Sequence, residues 1–142
     1  MKKRQLTIVL AILFFFVGMA YAAVTWHTTN QFTVQWDAVS TTADGGAITG
    51  TVEYEVFIAN AVTDPNKANP VSVWRGPETQ ATLTLNTEGQ YMIGVKAIGV
   101  VDGSDVSEST MAWSDDPAAT NNATFGVKHF FAPASPGGLR PQ

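Results

Sequence analysis

Cysteine is absent from the chain's 142 residues. That excludes disulfides, thiolate metal ligands and a lipid-modified cysteine anchor. Histidine occurs twice, as His27 and His129, which leaves no closely spaced pair to hold zinc. No Gly-x-Ser-x-Gly run is present, so the sequence mark of a hydrolase nucleophile elbow is missing. Beyond the first two dozen residues no segment sustains a 3.6-residue apolar period, and helices are not expected there.

Positive charge is scarce and unevenly placed. Lys2-Lys3-Arg4, the apolar run Leu6–Val17 and Ala20-Tyr21-Ala22 together read as a secretory signal (residues 1–22) with cleavage after Ala22. The apolar run is shorter than the roughly 20 residues a bilayer crossing needs, so no stable membrane span is expected after cleavage. The destination is then secreted, or periplasmic and cell-surface. Cleavage leaves 120 residues, enough for one domain, with five basic residues against twelve acidic ones and a net charge of −7. Such a surface repels phosphate backbones and anionic lipid, which argues against a nucleic-acid partner.

What the chain does have is alternation. Phe32, Val34 and Trp36 point one way and Thr33, Gln35 and Asp37 the other; Tyr91, Ile93, Val95 and Ala97 share one side of their own stretch. Period two marks a strand that covers a core with one face. Thr51–Ala59 sets Val52, Tyr54, Val56 and Ile58 against Glu53, Glu55 and Phe57, and the two glutamates mark a solvent-facing side. Val71–Trp74 and Ala81–Leu85 are shorter strands, the latter with Leu83 and Leu85 inward. Asp102-Gly103 is a hairpin signal that returns the chain over Val106–Trp113. Trp36, Tyr54 and Tyr91 are the large core candidates.

Turn chemistry at Asp44-Gly45-Gly46, Asp64-Pro65-Asn66 and Asn69-Pro70 separates the strands. Short strands at this spacing describe an all-β protein, a seven-stranded antiparallel immunoglobulin-like β-sandwich. The sandwich is expected over residues 23–114. Residues 115–131 follow as a connection and an extra apolar strand, then 132–142 as a Pro/Gly-rich tail.

Few residues suggest chemistry. Asp102, Asp105, Asp115 and Asp116 offer oxygen ligands for calcium, although Asp also favours turns; no other cofactor is expected. A hydrolase would need a cleft joining His27 or His129 to a carboxylate. Glu53 and Glu55 on an open strand face do not make a glycosidase pair. The aromatics are better candidates for binding. Trp74 and Trp113 are less clearly inward, and the run Phe125, Val127, Phe130 and Phe131 is too apolar to stand in water. Trp74, Trp113, Phe125, Phe130 and Phe131 are therefore the candidate binding residues. Partners would be a protein or a cell-surface polysaccharide.

Residues 31–114 resemble a fibronectin type III domain. The resemblance rests on Val34-Gln35-Trp36-Asp37, Val52-Glu53-Tyr54-Glu55-Val56, Leu83-Thr84-Leu85, Glu88-Gly89-Gln90-Tyr91 and the hairpin from Tyr91–Ala97 to Val106-Ser107-Glu108. It implies a non-enzymatic tethering, adhesive or scaffold module, although fold alone does not fix function. No Arg-Gly-Asp loop is present, so integrin binding does not carry over. The family's first strand is not evident before Trp26, whereas Pro133–Arg140 looks like one. That tail reads as a linker, as a strand completing its own domain, or as a strand donated to another subunit, giving self-association.

Overall fold

The computed structural model describes Ala23–His27 and residues 30–131, and its regular structure is all strand. The expected signal segment and the tail from residue 132 lie outside the described residues. In chain order the strands are β1 (Ala23–His27), β2 (Gln31–Gln35), β3 (Thr51–Asn60), β4 (Val71–Gly76) and β5 (Gln80–Thr84). They continue with β6 (Gly89–Val101), β7 (Ser104–Glu108), β8 (Ala112–Trp113) and β9 (Phe125–His129). Among the described residues no helix is long and apolar enough to cross a membrane.

The strands form two sheets. The larger has the order β1-β9-β6-β3-β4 with β7 and β8 also on β6; the smaller is β2 with β5. Among the described residues nine strands stand where seven were expected, because the edge partner of β6 is broken. β7 pairs with the Ile98–Val101 end of β6, β8 with Gly94 and Val95, and β9 with Gly89–Tyr91. These three run in succession along one edge. Residues 115–124 leave the edge and return at Ser114. The Ser114 amide donates to the Ile93 carbonyl, its Oγ accepts from the Ile93 amide and its carbonyl accepts from the Phe125 amide.

The expectation of a wholly antiparallel sandwich is corrected at one pair. β1 lies parallel to β9, from Ala23 beside Phe125 to His27 beside His129. The two are far apart in sequence, so no tight turn imposes the antiparallel direction that hairpins require. The stretch expected as an appended strand thus lies inside the larger sheet, and Val127 is part of the core.

The sheets meet through the alternating residues. Phe32, Val34 and Leu83 from the smaller sheet pack on Val56, Tyr91 and Ile93 from the larger. Each such side chain contributes about 1.5–3 kcal/mol by leaving water. Trp36 sits tilted on Tyr54 at 5.6 Å and edge-on to Trp74 at 5.8 Å. The Tyr91 hydroxyl donates to the Thr87 carbonyl at 3.1 Å and lies 2.8 Å from Thr87 Oγ1, pinning the turn from β5 into β6. At the opposite end Asp102 and Gly103, with φ of 52° and 75°, make the two-residue turn between β6 and β7.

The outer face of the larger sheet is not simply solvated. Ile98, paired with Glu53, is only 4% exposed although it points away from the core. Arg75 on β4 bonds Glu53 at 2.7 Å and forks onto Asp105 of β7 at 2.6 and 2.9 Å. This bridge reaches across β3 and β6. Lys96 pairs with Glu108 at 2.7 Å and lies 5.4 Å from the centre of the Phe57 ring.

An overhang groove and an open sheet edge

Strand lengths create one apolar concavity. β2 and β5 have five residues each, whereas β3 has ten and β6 thirteen. At about 3.3 Å per residue, the smaller sheet is too short to cover the larger sheet's inner face. It covers the half bearing Val56 and Ile93. Among the described residues the other half, bearing Val52, Ala97 and Gly99, is roofed by the loop from Asp37 to Gly50. Between loop and sheet lies a cavity of about 360 Å³. Val39, Ala43, Ile48, Val52, Ala97 and Val101 give it apolar walls, and Thr41, Thr49, Ser107 and Ser109 add hydroxyls.

The roof is held at defined points. The Val39 amide donates to the Tyr54 hydroxyl at 2.9 Å. Thr41 bridges to Ala47, and the Gly45 amide bonds the Thr42 carbonyl at 2.9 Å. The Thr42 hydroxyl, with the Gly46 amide, stabilises the Asp44 carboxylate and lowers its pKa from the usual 3.8. Gly50 has φ of +85°, and a Cβ there would collide with the Val100 carbonyl. Only glycine lets the loop land so close to β6.

A second feature lies on the sandwich's flank. The Leu85 amide bonds the Asn30 carbonyl and the Trp36 amide bonds the Thr79 carbonyl. With the intervening antiparallel register, the main-chain groups of Val34 therefore face β5. Those of Thr33 and Gln35 face the opposite way, where the sheet has no further described strand. Beneath this edge, between the sheets, lies a slot of about 90 Å³.

The sequence-derived candidates fall in different places. Trp74 is half-buried against the core and Trp36. Trp113 is half-buried, with the Lys67 ammonium 5.3 Å from its ring centre. Phe125 packs on the core. Phe130 and Phe131 are 45% and 58% exposed. Phe131 lies edge-on to the His129 ring at 4.9 Å, and its amide bonds Glu88 Oε1 at 2.7 Å. The five do not converge on one surface.

His129 is 1% exposed, and neither ring nitrogen has a hydrogen-bond partner. Among the described residues it joins no carboxylate. Three of the four aspartates singled out for calcium have other partners: Arg75 holds Asp105 and lowers its pKa from 3.8, and Lys67 pairs with Asp115 at 2.8 Å. Asp116 Oδ1 accepts from the Ala118 amide at 2.9 Å. Among the described residues no three His, Cys, Asp or Glu side chains gather to hold a metal ion. The groove was missed in the sequence because its walls are small residues, Ala43, Ala97 and Gly99, which carry no motif. No protein-family model and no curated protein matches the chain.

Proposed function

We propose that the chain is a secreted, non-enzymatic binding or structural module of fibronectin type III kind, acting at the cell surface or in the periplasm. Its binding end is the overhang groove. The carrying observation is that cavity of about 360 Å³, within the roughly 300–1,000 Å³ range of ligand sites. Its walls are apolar with a few hydroxyls, and the one carboxylate beside it, Glu108, is paired with Lys96. This chemistry favours a neutral, partly apolar group, such as an apolar side chain of a protein partner. The Tyr91–Thr87 corner, the Trp36 packing and the Asp102-Gly103 hairpin support the family reading. The sealed imidazole of His129 supports a non-enzymatic one.

The test is amide chemical-shift mapping on residues 23–142, with an anilinonaphthalene dye and soluble polysaccharides as probes. The dye should move the amides of Thr49, Ala97 and Gly99, and Ala97→Leu should abolish that response. A response confined to Trp113 with polysaccharide, or no response at the groove, would sink the reading.

A further inference from the structure

We infer that the overhang groove takes an extended segment of a protein partner, with two apolar side chains at alternate positions flanked by lysine or arginine. This rests on the groove being the binding end, and it adds the chemistry of what enters. Volume sets the apolar part. A core cavity left by one leucine is on the order of 150 Å³. The groove, at about 360 Å³, therefore accepts roughly two such side chains. In an extended chain every second side chain points the same way, so an apolar-x-apolar pattern fills it from one side.

The wall beside the groove favours a peptide main chain. β7 supplies that wall through Val106, Ser107 and Glu108. All five β7 residues are exposed, and among the described strands it pairs only with β6. The Ser109 amide bonds the Ala97 carbonyl. In this antiparallel register Glu108, opposite Ile98, turns its own amide and carbonyl away from β6. Those two groups can pair with an extended segment at the groove mouth. The register shift between Gly99 and Val100 breaks the edge just beyond, so this pairing is short and the side chains supply most of the affinity.

Charge sets the flanks. Asp44 follows Ala43 in the roof and Asp102 follows Val101 in the floor, and Ala43 and Val101 line the same cavity. Both aspartates are exposed. Among the described residues neither pairs with a cation. Lys67, Arg75 and Lys96 are already committed, to Asp115, to Glu53 with Asp105, and to Glu108. The groove thus has an apolar interior between two acidic lips. Such a mouth attracts a cationic flank and repels an acidic one.

Two glycine-flanked peptides, one carrying Lys-Leu-Ser-Leu-Lys and the other Glu-Leu-Ser-Leu-Glu, test this by amide chemical-shift titration of residues 23–142. The lysine peptide should bind about tenfold more tightly, as two attractive contacts replace two repulsive ones. It should move the amides of Ala97, Gly99 and Glu108. Asp44→Asn with Asp102→Asn should weaken it about fivefold, and so should salt at about 0.5 M. Asparagine accepts the φ of 52° at position 102, so the turn is kept. The anilinonaphthalene dye should still move the groove amides in that variant. Ala97→Leu, which fills the floor, should abolish binding of the lysine peptide. Equal affinity for the two peptides, with the dye response intact, would overturn the inference and leave the groove reading standing. Lysine-peptide binding that survives Ala97→Leu would overturn it as charge attraction alone. A dye that moves nothing at the groove would bring down both.

Discussion

The two halves of the larger sheet's inner face are built from the same strands yet finished differently. Over one half, β2 and β5 lay Phe32, Val34 and Leu83 onto Val56, Tyr91 and Ile93, and all six are buried. Over the other, a loop lies above Val52, Ala97 and Gly99, which stay half-exposed around a cavity. Strand length alone makes the difference, because a sheet can be covered by another sheet only where both extend. A sandwich with one short sheet thus separates a tightly packed half from a half left partly open.

That division predicts unequal costs for similar substitutions. Leu83→Ala should lose about 2–5 kcal/mol, the range for truncating a packed core leucine. Val52→Ala on the groove side should lose under about 1.5 kcal/mol. Urea unfolding of both variants checks this, and equal losses would break the comparison. Gly50→Ala comes next, at about 2 kcal/mol or more, because alanine must adopt the left-handed conformation against the Val100 carbonyl. Its damage should centre on the roof, seen as faster amide exchange near Val39 and Thr49 with Val56 still protected. Tyr91→Phe should cost about 1 kcal/mol by removing the bond to Thr87 without emptying the core.

The smallest effect belongs to the outer face. Arg75 lowers the Asp105 pKa below its usual 3.8, so this pair adds stability above that pH and loses it as pH falls through the depressed value. Contact with the two carboxylates raises the pKa of Arg75, first through Asp105, so the arginine stays charged and its share does not change as the pH falls. The melting temperature of Arg75→Met should therefore lie slightly below that of the parent near neutral pH. The gap should close in acid below pH 3.8. A gap that persists there would point to packing by the arginine stem over Ile98.

How far the sequence reached follows from which interactions are local. The alternations at Phe32–Trp36, Thr51–Ile58 and Ala81–Leu85 correspond to real strands, because side-chain period two is a property of the backbone itself. Asp102-Gly103 likewise announced its turn. Three features rest on long-range contacts that no local pattern carries: the parallel pairing of β1 with β9, the breaking of the β6 edge at Ser114 and the landing of Gly50 on Val100. Glu53 and Glu55 mark a solvent-facing side, yet Ile98 lies buried on that side. Of the aromatics that suggest binding, Trp74 and Phe125 pack on the core, whereas the groove is defined by the shortness of two strands, which no single residue signals.

The parallel pairing of β1 with β9 has a mechanical meaning. Suppose the protein is stretched between whatever precedes Ala23 and whatever follows His129. The force then slides these neighbouring strands past one another along their length. All the bonds between Ala23–His27 and Phe125–His129 share the load together, instead of opening one at a time like a zip. Rupture then requires several bonds to fail at once. A module tethered by its two ends would carry its mechanical clamp at the first and last strands of the described fold.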